Sequence, residues 1–509
     1  MKTIGELWEA SFKNYANLAA VRWLNKKEIL ERSYKELNDD IVALRKGLAT
    51  LGYHKAHIAV IGTSSVTWVG AYFSVTAGDN VAVPLDAGLP AEDLIELLNR
   101  SNSEGLFIAP GLKAMLPAVK EQCPKIKNIW LLQETTDEEY DTVNDLKAAG
   151  NDDVELKTST PDDIATIIYT SGTTGKSKGV MLTQQNFTDN VISVPYTDEP
   201  GGTCMTVLPI HHAFCLVMDW LKGFSLGACV CINDSLMHMI RNISIFKPKI
   251  ILMVPLMIET IYKRIAATDP SIPREILAEK LFGGNLKIIF TGGAHLDPFY
   301  IEEFEKLGIL VLEGYGMSEC SPVISNNMPE NHKVGSIGKP LPNAEVKISE
   351  TGEILVRGTS VMKGYYDMPE ETAETLKDGW LHTGDKGYID EDGFLFINGR
   401  VKNLIILSNG ENISPEEIEN KLALAPLVGE VIITGENNGL TARIYPDQDV
   451  VGAKGLEGDA LKAALQDVLD TYNKNQPTYR QITGLVVRKN PFIKSATKKI
   501  KRAEAEIDE

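Results

Sequence analysis

The chain has 509 residues, of which 43% are hydrophobic and 24% charged, a composition that indicates a folded protein of several domains and excludes a disordered chain or a fibre. Its 51 basic and 69 acidic side chains give a net charge of −18, so we expect no binding to nucleic acid. The six cysteines lack the paired spacing of metal ligands, and we interpret them as reduced thiols of the core.

The N-terminal segment carries an acidic residue, Glu6, and no long apolar stretch. The longest apolar run, residues 250–258, is too short to cross a bilayer and contains Pro255. We therefore expect no signal peptide, no transmembrane segment and a cytoplasmic location.

Short β-branched runs alternate with helical patterns from His57 onward. Helices are predicted at 64–77 and 91–100, between strands predicted at 57–62, 81–84 and 106–109. The same alternation returns after Pro161, with strands predicted at 164–169, 205–209, 228–232, 250–254, 286–290 and 310–312. This pattern predicts two successive α/β blocks, at about 1–160 and 161–333, built on parallel sheets.

The pattern changes at residue 334, where short strands are divided by turns. Residues 334–398 predict a small antiparallel β barrel or sheet. A compact α+β tail follows, with strands predicted at 431–434, 440–445 and 485–487 and a helix at 455–470. We predict an α/β protein with a large N-terminal domain at 1–398, a connection at 399–402 and a small C-terminal domain at 403–509.

The most informative motif is the loop between the strand predicted at 164–169 and Val180. It combines hydroxyl groups, flexible glycines and ammonium groups, which together bind a polyphosphate: Thr170, Ser171, Gly172, Thr173, Thr174, Gly175, Lys176 and Lys178. A Walker-type P-loop is the weaker interpretation, because Thr170 stands where that motif has its first glycine and an apolar strand-like run follows the loop. A flexible surface linker is the alternative, although linkers seldom join two apolar strands.

This loop resembles the signature of adenylate-forming enzymes, the superfamily that contains acyl-CoA synthetases, luciferases and the adenylation domains of peptide synthetases. Further matching segments follow in the family's order, at residues 208–212, 291–294, 314–319, 379–385, 399–402, 409–419 and 498–502. The resemblance implies that a carboxylate attacks the α-phosphorus of ATP to give an acyl-adenylate and pyrophosphate, after which a thiol displaces AMP.

In this resemblance, the large domain supplies most of the nucleotide site. Glu319 corresponds to a magnesium-binding glutamate, Ser318 would contact the α-phosphate, and Tyr315 would stack on adenine. The remaining ATP-binding positions are Gly292, Gly293, Ala294, Gly314 and Gly316. Taken singly, Glu319 could be a surface glutamate and Tyr315 an ordinary core residue.

The resemblance places further roles in the C-terminal part of the chain. Asp385 corresponds to a ribose-binding carboxylate with Arg400 near it, and a turn cap is the alternative for Asp385 alone. Lys402 corresponds to the pivot of a hinge about which a mobile small domain swings between the two half-reactions. Lys499 corresponds to the catalytic lysine of adenylation, with the adjacent Lys498 or a solvated basic tail as alternatives.

Two further matches concern the acyl and thiol substrates. His212 corresponds to a catalytic-site position at the carboxylate end of the acyl pocket, with His211 beside it, and a zinc site is disfavoured because no third ligand has suitable spacing. The apolar run 213–226 is either core or the wall of an apolar tunnel. Gly410 corresponds to a small-residue turn that lets the thiol arm of coenzyme A pass, or is an ordinary turn glycine.

Residues 361–370 and 491–494 are most similar to fatty-acyl-CoA synthetases, whereas the position of Asp219 disfavours an amino-acid substrate. The resemblance therefore implies a ligase that uses ATP, Mg²⁺ and coenzyme A to activate a fatty or other carboxylic acid. An acyl-carrier-protein ligase and an aryl-acid CoA ligase are alternatives within the family. An adenylate-binding sensor without turnover is the alternative outside the enzymes.

Overall fold

The computed structural model describes residues 1–170, 177–269, 271–406, 412–436, 439–494 and 500–505. Some predicted site residues lie outside these ranges, namely Ser171, Gly172, Thr173, Thr174, Gly175, Lys176, Gly410 and Lys499. The chain divides into two compact units, the first comprising Met1–Val346 and Val356–Leu381 and the second comprising Lys347–Leu355 and His382–Glu509. Across the described ranges, we find no helix whose length and hydropathy would let it cross a membrane.

The β-strands of the described residues follow in chain order. They are β1 (Ala19–Asn25), β2 (Glu28–Ser33), β3 (His57–Ile61), β4 (Val81–Leu85), β5 (Gly105–Ile108), β6 (Asn128–Leu131), β7 (Asp141–Thr142), β8 (Ile164–Thr170), β9 (Lys178–Thr183), β10 (Thr203–Thr206), β11 (Cys229–Ile232), β12 (Ile250–Met253), β13 (Ile288–Thr291), β14 (Leu310–Gly316), β15 (Val323–Asn326), β16 (Lys339–Pro340), β17 (Ala344–Ile348), β18 (Glu353–Gly358), β19 (Gly364–Tyr365), β20 (Leu376–Lys377), β21 (Trp380–Ile389), β22 (Leu395–Arg400), β23 (Ile405–Ile406), β24 (Asn412–Ile413), β25 (Val428–Glu436), β26 (Gly439–Pro446) and β27 (Ile482–Val487).

The α-helices of the described residues are α1 (Ile4–Tyr15), α2 (Tyr34–Thr50), α3 (Val66–Thr76), α4 (Ala91–Arg100), α5 (Leu116–Gln122), α6 (Val143–Ala148), α7 (Gln184–Ser193), α8 (Gly223–Ser225), α9 (Met239–Phe246), α10 (Pro255–Ala266), α11 (Arg274–Phe282), α12 (Pro298–Glu305), α13 (Pro369–Thr375), α14 (Pro415–Leu422), α15 (Gln448–Lys454) and α16 (Gly458–Asn473). A π-helix, Cys215–Lys222, precedes α8 directly.

The first unit contains an eight-stranded sheet in the order β19-β9-β8-β4-β3-β5-β6-β7. Its central pairs are parallel, as the alternation of strands and helices predicted. Between β3 and β4 lies α3. Its N-cap residue is Ser65, whose side chain accepts a hydrogen bond from the Trp68 amide. This helix is apolar on all sides and buried, so its apolar run is typical of a core helix and not of an amphipathic surface helix.

A nine-stranded sheet of the first unit has the order β16-β15-β14-β13-β12-β10-β11-β1-β2. The strands from β10 to β14 pair in parallel, which places the segments that follow β10, β13 and β14 at one edge of the sheet. An aromatic cluster packs in the core, where the Trp8 ring lies 5.2 Å from that of Phe73 and 5.3 Å from that of Phe224. Burial of each such ring contributes about 2–3 kcal/mol.

The second unit contains the sheet β25-β26-β27, in which β25 and β26 are antiparallel and β26 and β27 are parallel. Helices α14 and α16 cover the sheet, and Ile418 and Leu465 are buried between them and the strands. The helix predicted at 455–470 is wrong at its start. Gly455, at φ +59°, ends α15 in the left-handed conformation, and α16 begins at Gly458.

The cysteine prediction is confirmed, because all six cysteines are free and buried. The strand predicted at 205–209 starts two residues too late and ends three residues too late, since β10 comprises Thr203–Thr206. Pro209 interrupts the apolar run that suggested a longer strand.

Candidate active site

The loop predicted to bind a polyphosphate, residues 170–178 and called the polyphosphate loop below, connects two antiparallel neighbours of the eight-stranded sheet. Strands β8 and β9 pair with Thr170 opposite Lys178, and the Thr170 hydroxyl donates to the Lys178 carbonyl at 3.5 Å. The segment after the loop is therefore a strand, as predicted, and the Walker interpretation is wrong. This pairing brings the two ends of the loop together.

A residue that the sequence analysis missed, Arg100, contacts both ends of the loop. Its Nη2 donates to the Ser177 carbonyl at 2.7 Å, and its guanidinium carbon lies 5.7 Å from the centre of the Tyr169 ring. Burial raises the pKa of Tyr169 to about 12, which Arg100 partly opposes. A cavity of about 260 Å³ lies beside this contact, lined by Asn99, Arg100, Asn102, Tyr169, Tyr366, Asp367 and Met368.

The glycines after β13 and within β14 permit close approach of two backbones. A Cβ on Gly292 would lie 2.9 Å from the Gly314 carbonyl oxygen, and one on Gly316 would lie 2.0 Å from the Pro322 carbonyl oxygen. Only glycine fits at both positions without displacing backbone. The predicted ATP-binding segments 291–294 and 314–316 are thus neighbours at one edge of the sheet.

Glu319 is nearly buried, at 9% exposure, so the interpretation as a surface glutamate is wrong. It follows Ser318 in a short 3₁₀-helix, and its Oε1 accepts a hydrogen bond from the Tyr365 hydroxyl at 2.8 Å. The Lys178 ammonium lies 4.8 Å from the centre of the Tyr365 ring. Tyr365 therefore contacts Glu319 through its hydroxyl and Lys178, at the end of the polyphosphate loop, through its ring.

Tyr365 was not singled out from the sequence, although it lies in the segment 361–370 that resembles fatty-acyl-CoA synthetases. Burial raises the pKa of Tyr365, and the Glu319 carboxylate raises it further. The phenol therefore stays protonated and serves as a donor to Glu319. Tyr315 is also buried, on β14, and its predicted contact with adenine stays a prediction.

The donor set around Glu319 fits a nucleotide-bound Mg²⁺. Among the residues that the structure describes, no three His, Cys, Asp or Glu side chains group as a protein-only metal site. Mg²⁺ commonly binds through one or two carboxylates and takes its other ligands from phosphate oxygens and water. A single buried carboxylate beside the polyphosphate loop suits this type of coordination.

The two histidines after β10 differ in their surroundings. His212 is exposed, at the start of the helical segment that contains the π-helix, and its backbone carbonyl accepts from the Leu216 amide at 2.9 Å. Burial lowers the pKa of His211 to about 4, although Asp86 opposes the shift. His211 is therefore neutral near pH 7, and its 3.8 Å approach to Asp86 is not an ion pair.

The apolar run 213–226 is helical and belongs largely to the core. It contains the π-helix Cys215–Lys222, a rare conformation that often marks a functional or strained site. Asp219 is buried within it, and burial raises the pKa of this carboxyl to about 7. The Cys215 thiol donates to Asp219 Oδ2 at 3.5 Å, a buried pair that no sequence pattern predicted.

In the second unit, the structure brings Asp385 and Arg400 together. They face each other on β21 and β22, with Arg400 Nε 2.8 Å from Asp385 Oδ1. Asp385 is buried and lies within a strand, so the turn-cap alternative is wrong. Glu353 supports this strand, because its Oε1 accepts from the Gly384 amide at 3.0 Å.

Lys402 lies in the 3₁₀-helix Val401–Asn403, directly after β22, and its side chain is exposed. The neighbouring Asn403 side chain donates to Glu416 Oε1 at 2.6 Å, at the start of α14. The second unit therefore holds the residue next to Lys402 in place. The role of Lys402 as a pivot stays a prediction.

The residues that flank Lys499 in sequence are held within the second unit. Lys494 pairs with Ile500 in an antiparallel bridge and its Nζ lies 2.6 Å from Glu430 Oε1. Arg502 Nη2 lies 2.5 Å from Glu419 Oε2. These ion pairs contradict a solvated basic tail for Lys494 and Arg502.

A hydroxyl-rich loop, a buried glutamate beside it and an Asp–Arg pair on the other unit are features of an adenylate-forming enzyme. Comparison with known families establishes this class. The family model described as AMP-binding enzyme matches residues 8–366, and the model of the AMP-binding enzyme C-terminal domain matches residues 402–508. The chain belongs to the AMP-binding enzyme family.

Known proteins of similar sequence and structure agree with this assignment. The long-chain-fatty-acid–CoA ligase FadD15 of Mycobacterium bovis is 27% identical over 449 residues, which cover 79% of this chain and 74% of the relative. The feruloyl-CoA synthase of Amycolatopsis sp is 29% identical over 457 residues, covering 86% and 88%. The crystal structure of ATP-bound MatB from Rhodopseudomonas palustris superposes with a TM-score of 0.82 at 23% identity, covering 99% and 100% of the two chains.

These comparisons confirm the predicted superfamily and the prediction of an enzyme. They also confirm the predicted fold class, a mixed α/β protein with a large N-terminal and a small C-terminal domain. The predicted acyl-CoA ligase activity is in accord with the names of the relatives.

Proposed function

We propose that this protein is an ATP- and Mg²⁺-dependent ligase that converts a fatty acid to its coenzyme A thioester through an acyl-adenylate. The observation that carries the proposal is that Lys178, at the end of the loop, and Glu319 both contact Tyr365, since this places a carboxylate suited to Mg²⁺ close to a polyphosphate-binding loop. Relatives named as CoA ligases over most of this chain support coenzyme A as the acceptor.

In the first half-reaction, a carboxylate oxygen attacks the α-phosphorus and pyrophosphate leaves. Negative charge accumulates on the phosphates, so cationic groups and oriented donors must stabilise it. In this proposal the loop of residues 170–178 holds the phosphates, and Glu319 would hold Mg²⁺. The ion supplies charge neutralisation at the phosphate oxygens. Tyr365 orients the Glu319 carboxylate by its hydrogen bond.

Asp385 would accept hydrogen bonds from the ribose hydroxyls, as acidic residues do in other nucleotide sites. The 2.8 Å ion pair with Arg400 supports this role, because it fixes the orientation of the Asp385 carboxylate. Lys499 would bridge the substrate carboxylate and the α-phosphate. Lys402 would serve as the pivot, and Gly410 would admit the thiol of coenzyme A, in the second half-reaction.

An aryl-acid CoA ligase is the second candidate. The feruloyl-CoA synthase of Amycolatopsis sp favours it, since the alignment covers 88% of that relative. The apolar run 213–226 packs largely in the core and does not distinguish an aliphatic chain from an aromatic ring.

The test is carboxylate-dependent exchange of labelled pyrophosphate into ATP, followed by thioester formation. A panel of aliphatic and aromatic acids is offered with coenzyme A or with a pantetheinylated carrier protein. We expect exchange with fatty acids and thioester only with coenzyme A. Exchange restricted to aromatic acids would transfer the assignment to the second candidate. ATP binding without exchange for any acid would instead indicate an adenylate-binding sensor.

A further inference from the structure

Asn190 is a fully buried asparagine of α7 whose side chain contacts the chain directly after Glu319. Its Nδ2 donates to the Val323 carbonyl at 2.8 Å and to the Cys320 carbonyl at 3.3 Å. Its Oδ1 accepts from the Val323 amide at 3.3 Å. Asn190 therefore holds the backbone at both ends of the bend 320–323.

The bend needs support because Ser321 lies in the left-handed conformation, at φ +65°. A residue with a side chain keeps this conformation only where its surroundings hold it there. The Ser321 hydroxyl donates to the Ser360 carbonyl at 2.9 Å, and Asn190 Nδ2 lies 3.1 Å from Ser360 Oγ. The bend is thus attached both to α7 and to segment 359–362.

Segment 359–362 leads to Tyr365, whose hydroxyl donates to Glu319 Oε1. The Glu319 carbonyl accepts from the Met362 amide at 2.8 Å, so the segment also runs beside Glu319. Asn186, one turn before Asn190 on α7, donates to two carbonyls of this segment at 2.7 and 3.0 Å. Helix α7 therefore contacts both backbone segments that position the Glu319 carboxylate.

We propose that Asn190 is a positioning residue of the magnesium site, which orients the Glu319 carboxylate by fixing the bend 320–323. The inference rests on the proposed function in one respect, namely that Glu319 binds Mg²⁺ together with ATP. A carboxamide suits the contact, because it donates to backbone carbonyls and also accepts from a backbone amide. Asn190 acts only through Glu319 in this account.

A buried asparagine elsewhere in the first unit supplies a matched control. Asn242 of α9 is also fully buried, and its Nδ2 donates to Asn233 Oδ1 at 2.8 Å and to Asp234 Oδ1 at 2.6 Å. These contacts do not involve the bend 320–323. Asn242→Ala therefore removes a buried, hydrogen-bonded amide of the same size without changing the support of Glu319.

The experiment measures ATP binding by calorimetry, with Mg²⁺ or with a chelator, for the wild type, Asn190→Ala and Asn242→Ala. Loss of buried hydrogen bonds predicts that Asn190→Ala weakens binding on the order of tenfold with Mg²⁺ and no more than about threefold without it. The Val323 amide should also exchange its hydrogen faster in Asn190→Ala, because it loses its acceptor. Asn242→Ala should leave both affinities unchanged.

The same comparison is repeated in a Glu319→Gln background, which separates positioning from general support of the fold. Because the effects of coupled residues do not add, Asn190→Ala should cause less than about a twofold further loss there. A residue that merely stabilises the fold would cause the same loss in both backgrounds.

The proposal is overturned if Asn190→Ala weakens ATP binding equally with and without Mg²⁺, if Asn242→Ala reproduces its effect, or if the loss persists with Glu319→Gln. Should a lowered melting temperature show that Asn190→Ala does not fold, Ser321→Ala decides the matter, because it removes only one hydroxyl of the bend. Ser321→Ala should weaken binding with Mg²⁺ by about threefold, and an unchanged affinity would overturn the proposal. Failure of the proposed function is a separate outcome, in which the wild type itself neither binds ATP with Mg²⁺ nor supports pyrophosphate exchange with any acid.

Discussion

The substitution Tyr365→Phe tests whether the Glu319 carboxylate is oriented for Mg²⁺. It removes the phenol hydroxyl that donates to Glu319 Oε1 at 2.8 Å but keeps the ring beside Lys178. A hydrogen bond to a charged group contributes about 1.5–3 kcal/mol, and both side chains are buried. Since about 1.4 kcal/mol is a factor of ten, we expect a loss of about tenfold to a hundredfold in apparent Mg²⁺ affinity.

The assay is acid-dependent pyrophosphate exchange at saturating ATP over a range of Mg²⁺ concentrations. The control is Tyr366→Phe, because the neighbouring Tyr366 hydroxyl accepts from Asn102 Nδ2 at 2.8 Å, whereas it is the Tyr365 hydroxyl that donates to Glu319. High Mg²⁺ should recover most of the activity of Tyr365→Phe and leave Tyr366→Phe unchanged. If the Mg²⁺ dependence of Tyr365→Phe matches that of the wild type, the assigned role of the Glu319–Tyr365 pair is wrong.

Three further predictions concern other parts of the chain. Lys499→Ala should abolish most pyrophosphate exchange while leaving thiolysis of supplied acyl-adenylate comparatively intact. The control, Lys498→Ala, should spare both half-reactions. Equal losses in the two half-reactions of Lys499→Ala would contradict the role of Lys499. Arg100→Gln should raise the KM for ATP about tenfold, measured at fixed acid, because a charged donor to the Ser177 carbonyl is lost. For Asp219→Asn, the free energy of unfolding in urea should rise relative to that of the wild type as the pH rises from about 4 to about 7, with the difference approaching about 4 kcal/mol. The reason is that the buried Asp219 carboxyl keeps a proton in the folded state, whereas the unfolded carboxyl releases it. A difference that does not depend on pH would refute burial as the cause.

Local patterns in the sequence were sufficient for much of the fold. Alternating apolar runs and helical periods predicted the parallel strands β3, β4 and β5, because each run reports how deeply its own side chains are buried. The hydroxyl-rich loop was predicted to run into a strand, and β9 begins there. The family resemblance, and not a local pattern, implied that Asp385 and Arg400 share a site, and antiparallel pairing of their strands brings them together.

Partners that are distant along the chain were not predictable in this way. The N-terminal strand β1 joins the nine-stranded sheet by pairing Val21 with Val230, and no local period encodes that choice. Arg100 is similar, since it ends an amphipathic helix and its contact with Ser177 depends on how α4 packs. The spacing of apolar residues reveals which face is buried but not which group that face will meet.

The basic residues near the C-terminus show how structure bears on an alternative that the sequence leaves open, a solvated basic tail. A solvated tail would leave its cations unpaired, because exposed ion pairs contribute little and cost side-chain entropy. Here Lys494 and Arg502 contact Glu430 and Glu419, and burial raises the pKa of Glu419 while Arg502 opposes the shift. The segment 495–499 is therefore bounded on both sides by residues fixed to the second unit.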